Sequence, residues 1–244
     1  MRLFQILPDQ LHPTQRREQN RYLVGPEFPL GLTLSAENWS GQGRTIDLAM
    51  GGIGALFPAD ARFEANNVIQ VTFKLEAFEI TLLGRVRHVR PEQGGRLCGI
   101  RLVSGDTAGH QEYLQLLLPV AIGSSLGPVD AKRVRQDEPG VVKSIYEGES
   151  ESRLTIWSRG EGPTAKAFSF ELAVGDHLAR GQEGGELKIF SHVDPLRKHR
   201  VSDVIAQGGN ALDDEVRRLF KWSVLNLRDP VPAPARDFLI SFLR

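Results

Sequence analysis

Cysteine, long apolar runs and surplus charge are all scarce in this 244-residue chain, and each scarcity excludes something. The single cysteine, Cys98, rules out an intrachain disulfide and any zinc site built on several thiolates, and it points to a reducing compartment, the cytoplasm. No stretch approaches the roughly 18 uninterrupted apolar residues of a membrane helix. The best candidate, Leu114 to Ile122, is far shorter and holds Gln115 and Pro119, so membrane insertion is not expected. The N-terminal MRLFQILPDQLHP has one short apolar stretch broken by Pro8 and no small-residue cleavage site, which does not read as a secretory leader. Charge of one sign is missing too: 30 basic side chains balance 30 acidic ones, 12 of each up to Ser124 and the remaining 18 of each beyond it. Neither half has the composition of a basic nucleic-acid module. The first half also offers only Trp39, Tyr22 and Tyr113 beside its phenylalanines as platforms for a single strand.

What is present is an ordinary globular composition, 41% hydrophobic and 25% charged, long enough for one large domain or two smaller ones. Residues 1–28 are polar, aperiodic and proline-bearing, and they carry the cluster Arg16, Arg17 and Arg21; they read as a flexible arm. From Leu30 the pattern alternates: Leu30, Leu32 and Leu34 on one face, then Arg44 to Leu48, Ile53 to Phe57, and the clean period of two in Ile69, Val71, Phe73 and Leu75. Phe78 to Arg90 alternates again, placing Ile80, Leu82, Val86 and His88 on one side, and Cys98, Ile100 and Leu102 complete the series. Short strands with no helices between them predict an antiparallel barrel or sandwich. A helix over Thr107–Leu118 follows, placed as a lid over one mouth. Residues 123–140 have few large apolar side chains and two prolines and read as a linker. Beyond it come four strand-like runs, at 141–146, 153–158, 167–172 and 186–190. An amphipathic helix then carries Leu212, Val216, Leu219, Phe220, Val224 and Leu227 on one face, and a short apolar helix ends the chain. The second half therefore reads as a separate, smaller α+β domain over 141–244.

Most signatures of catalysis are missing. There is no Walker loop, no paired CxxC and no HExxH, and Gly51, Gly52 and Gly54 do not complete a dinucleotide fingerprint. Gly123 to Gly127 matches GxSxG, but a nucleophile elbow needs a strand before the serine and a helix after it. The six histidines are dispersed, and His192 and His199 lie in a charged stretch that reads as solvated surface, so no metal set is expected. The chain reads as a non-enzyme without a cofactor.

One conjunction does carry information. Arg17 and Arg21 form RxxxR, worthless alone among 23 arginines, but this pair sits just before the first strand. Asp47-x-Ala49-x-x-Gly52 then occupies the turn after the second strand, and an alternating barrel pattern with a terminal helix follows. The sequence RREQNR at Arg16 to Arg21, TIDLAMGGIGALF at Thr45 to Phe57, GRVRHV at Gly84 to Val89 and CGIRL at Cys98 to Leu102 together resemble the PilZ family of cyclic di-GMP receptors over about residues 14–122. The resemblance implies a six-stranded antiparallel barrel over 29–122 and a site in which Arg17, Arg21, Asp47 and Gly52 match the family's RxxxR and D/NxSxxG. Ala49 departs from that pattern, because it lacks the usual serine hydroxyl. In the family, an arginine directly before RxxxR accompanies a stacked ligand dimer, which gives Arg16 its place.

The residue chemistry suits such a ligand. A guanidinium can chelate a phosphate or the guanine O6/N7 edge and also stack on the base. The Asp47 carboxylate can accept from guanine N1–H and N2–H, donors that arginine cannot serve. Gly51 and Gly52 allow a tight turn and close backbone approach. His88 admits two roles, stacking on a base or filling a barrel rim. The resemblance implies a bacterial second-messenger receptor acting on processes such as motility or exopolysaccharide synthesis: the arm would order on the ligand, and an unidentified protein partner would read the change through the C-terminal domain. The alternative is a degenerate adaptor that binds proteins without nucleotide.

Overall fold

A computed structural model describes residues 3–4, 20–103, 107–160, 165–191 and 211–243. They divide into two compact units that part between Val120 and Ala121.

In the first unit the alternating runs become β2 (Leu30–Ala36), β3 (Trp39–Ala49), β4 (Gly52–Phe57), β5 (Val68–Leu75), β6 (Phe78–Glu92) and β7 (Gly95–Leu102), with a two-residue β1 (Tyr22–Leu23) before them. They pair in the order β3-β2-β5-β6-β7-β4, and β4 closes back onto β3, a closed six-stranded antiparallel barrel. Leu32, Leu34, Ile69, Val71, Phe73, Leu75, Ile80, Leu82 and Val86 all point inward and are buried, each side chain stabilising the barrel by about 1.5–3 kcal/mol. Barrel closure leaves no long edge to protect.

Two local readings change. Tyr22 and Leu23, assigned to the arm, pair as β1 with Leu48 and Asp47, and Tyr22 is buried; the reading missed this because two residues carry no periodicity. His88 does not share the inward side of Val86. A β-bulge between Val86 and His88 inserts Arg87, so the alternation slips and both Arg87 and His88 are exposed. A second bulge, between Thr45 and Asp47, sets the aspartate opposite Gly54.

The helix α1 runs Thr107–Ser125, straight through Pro119. A proline inside a helix costs about 3 kcal/mol, but every side chain from Leu116 to Ile122 is buried, and several large apolar groups at 1.5–3 kcal/mol each outweigh that cost. The stretch read as a linker therefore begins as helix. It continues as β8 (Gly127–Pro128), paired with β9 (Val141–Glu147), and a 3-10 turn at Ala131–Arg133 that Asp130 caps through the Lys132 N–H.

The second unit is a six-stranded antiparallel sheet of β8, β9, β10 (Arg153–Arg159), β11 (Lys166–Val174), β12 (His177–Gln182) and β13 (Lys188–Ser191), followed by α2 (Ala211–Val224) and α3 (Ala233–Ile240). Strand β12 escaped the sequence reading because HLARGQ has almost no alternation. The apolar face of α2 is core: Phe220 stacks on Phe170 of β11 at 5.4 Å, and Phe238 and Phe242 meet the same ring edge-on at 6.0 and 5.2 Å.

Candidate ligand site on the barrel

Asp47 is placed by a neighbour that has no side chain. Gly54 is its partner across β3 and β4, and a Cβ at Gly54 would lie 2.5 Å from Asp47 Oδ2. The carboxylate leans into that gap and accepts from Arg21 Nη1 at 2.6 Å. Arg21 is half exposed and Asp47 mostly covered. Such a pair contributes only about 0–1 kcal/mol to stability; its effect is to aim a guanidinium whose remaining donors stay available.

The same row continues across the barrel: Asp47 opposite Gly54, Gly54 opposite Gly99, and Gly99 opposite His88. A Cβ on Gly99 would collide with the His88 ring, which lies over the glycine. Two glycines thus form a side-chain-free floor between an aspartate and an imidazole.

Gly52 has a different reason to be glycine, since a Cβ there would sit 2.7 Å from the Ile100 carbonyl oxygen of the adjoining strand. Gly51 faces open space and has no positive φ, so of the two glycines assigned to the turn only Gly52 is needed for close approach. The turn is anchored from below by Tyr113 of α1. Its hydroxyl donates to the Ala49 carbonyl at 2.7 Å and lies 3.3 Å from the Gly52 carbonyl. Burial holds the Tyr113 phenol far above its ordinary pKa, with the Ala49 bond opposing that shift, so the donor proton is retained. Tyr113→Phe leaves a buried carbonyl without its donor and is expected to cost about 1–3 kcal/mol. Chemical denaturation reads this directly, and an unchanged midpoint would refute the anchoring role.

Beside this corner opens a cavity of about 750 Å³, within the range of small-molecule sites. Of the residues assigned to a site, Arg21, Ala49, Gly51, Gly52 and His88 line it, whereas Asp47 does not and meets it only through Arg21. Arg16 and Arg17 lie outside the described residues. The sequence reading missed Met50, Arg87, Gly99, Arg101 and His110, which line it as well. The two glycines on alternate positions of β4 signalled a bare outer face, but nothing local to β6 or β7 showed that Arg87 and Arg101 would line the same cavity.

The serine of GxSxG, Ser125, ends α1. Its Oγ accepts from the Glu149 N–H at 2.8 Å and reaches the Ile122 carbonyl at 3.3 Å. It ties the end of α1 to the turn after β9, without the strand–turn–helix of a nucleophile elbow.

Comparison with known proteins places the barrel. A curated relative, flagellar brake protein YcgR of Thioalkalivibrio sulfidiphilus (strain HL-EbGR7), is 32% identical over 123 residues, 46% of this chain and 47% of that protein. The chain thus spans about half the length of that relative. Among solved structures, the PilZ domain of YcgR from Escherichia coli with c-di-GMP is 18% identical over 43% of this chain and 89% of that one, at a TM-score of 0.34. PlzA of Borreliella burgdorferi in complex with c-di-GMP is 10% identical over 63% of this chain and 81% of that one, at 0.33. The family model for the PilZ domain matches residues 15–118, the span that contains the closed barrel, the Arg21–Asp47 pair and the Tyr113 anchor, and this segment is a PilZ domain.

Proposed function

We propose that this chain is a non-enzymatic cytoplasmic receptor for cyclic di-GMP. The observation that carries the reading is the Arg21–Asp47 pair seated over Gly54, beside a glycine floor and at the border of a cavity large enough for a nucleotide, inside a PilZ domain. Arg21 would release part of its fork to a phosphodiester or a guanine O6/N7 edge, Asp47 would accept from guanine N1–H and N2–H, and His88 would stack on a base.

In this reading Arg16 and Arg17 join Arg21 when the ligand binds, and Arg16 would support a second, stacked nucleotide. Ordering of the arm then turns ligand concentration into a signal that a protein partner reads through the C-terminal domain. The name of the YcgR relative makes motility the first process to assay. The domain limits proposed are an arm through 28, a barrel domain through 122, a connector over 123–140 and the C-terminal domain from 141.

Calorimetric titration of the full chain with cyclic di-GMP tests the proposal, and saturable heat at micromolar concentrations is expected. Ala49 supports a second reading, the nucleotide-free adaptor, which silent titration of folded protein would favour. Restoring the hydroxyl separates the two further. Ala49→Ser adds a donor and acceptor at the cavity wall and is expected to tighten binding by up to about tenfold, from a hydrogen bond of about 0.5–1.5 kcal/mol. A serine variant that binds no better than the parent would remove Ala49 from the site.

A further inference from the structure

The outer face of the barrel carries two arginines that the fold does not need. Arg101 is directly opposite Arg85 across β6 and β7, and like charges facing each other on a ladder destabilise it. Arg87 is outward beside them, two positions from Arg85, and the Val86/His88 bulge brings the next residue, His88, to the same outer face. Neither Arg87 nor Arg101 forms an ion pair among the described residues, and no carboxylate lines the cavity there. Arg101 is also opposite Gly52, so it flanks the bare floor from the side away from Asp47. Two unneutralised guanidiniums on a concave wall, at a cost to the ladder, make an anion site.

We infer that Arg87 and Arg101 form a second cationic wall that takes the phosphodiester remote from Arg21, and that this wall holds the ligand at a site lacking the hydroxyl at position 49. The inference rests on the cyclic di-GMP reading above and adds residues that neither RxxxR nor DxAxxG contains. It gives the bulge a purpose: with regular alternation Arg87 could not share the outer face with His88. A ligand with two phosphodiesters would then bridge the wall and the Arg21–Asp47 corner, whereas a single arginine corner serves one.

The test is calorimetry of the full chain with cyclic di-GMP, comparing the parent, R87A/R101A, R87K/R101K and R85A. The alanine double variant is expected to bind about tenfold to a hundredfold more weakly, the loss of charge-assisted hydrogen bonds. Lysines should recover part of this, because they keep the charge but not the fork. Arg85 does not line the cavity, so R85A should stay within about twofold and control for the loss of charge alone. All three arginines are exposed. Ligand-free melting of R87A/R101A should therefore match or exceed the parent's, since the repulsion with Arg85 is relieved. If the parent binds and R87A/R101A binds equally well, or R85A loses as much, this inference falls while the receptor reading stands. A parent that gives no heat overturns both.

Discussion

Replacing Arg21 with alanine is expected to weaken cyclic di-GMP binding on the order of a hundredfold while leaving the ligand-free protein nearly as stable as before. The two magnitudes separate because they come from different environments. In the free protein Arg21 is half exposed, and its 2.6 Å contact with Asp47 is a solvated pair worth about 0–1 kcal/mol. Against a bound anion the same guanidinium makes charge-assisted, fork-geometry hydrogen bonds worth about 1.5–3 kcal/mol, with stacking on a base adding about 0.5–1. Asp47→Asn should lower affinity as well, since an amide replaces an acceptor that serves two guanine donors with a group that also donates. Measured together, R21A and D47N should be non-additive, because removing either member frees the other from its aim. Equal affinity of R21A and the parent would end the assignment of this corner as the ligand site, and a stability loss of several kcal/mol would recast the pair as structural.

Trp222→Ala carries the largest expected effect on folding, about 3–5 kcal/mol, a drop in melting midpoint on the order of 10 °C for a chain of this size. The ring is fully buried on α2, meets Phe4 edge-on at 5.8 Å and lies under the Arg218 guanidinium at 5.9 Å. Removing it leaves a cavity that a helix packed on a sheet cannot easily close. Trp157 is the internal control. It sits on β10, partly exposed, with Lys143 Nζ 5.6 Å from its ring centre, a contact worth about 0.5–1 kcal/mol at such a site. Trp157→Ala should therefore cost far less than Trp222→Ala. Comparable losses from the two would contradict the division into a core tryptophan and a surface one.

The residues that line the barrel interior were legible because their signal is local. Ile69, Val71, Phe73 and Leu75 must share one side of any strand they form, and that side must be covered. Arg21 and Asp47 were legible for another reason: their spacing matches a known motif, and the structure brings them to 2.6 Å although 26 positions separate them. The apolar stripe of α2 was legible as a helix face, and packing on its own sheet was the favoured role over an interface. The ring contact of Phe220 with Phe170 and the full burial of Trp222 agree with that core reading.

Other features had no local signature. Helix α1 passes Pro119 because burial on both sides outweighs the lost hydrogen bond, a balance that depends on neighbours far away in sequence. The slip that exposes His88 is a single inserted residue, and alternation alone would have turned it inward. Composition, alternation and motif spacing thus determined the barrel's inward faces and the arginine–aspartate corner, since side-chain period and residue chemistry are properties of short segments. Only the tertiary structure decided that Gly54 and Gly99 lie between Asp47 and His88, and that Arg87 and Arg101 border the same cavity. Those neighbours follow from strand register and bulges, which are set when six strands close on one another and each backbone donor must find its acceptor.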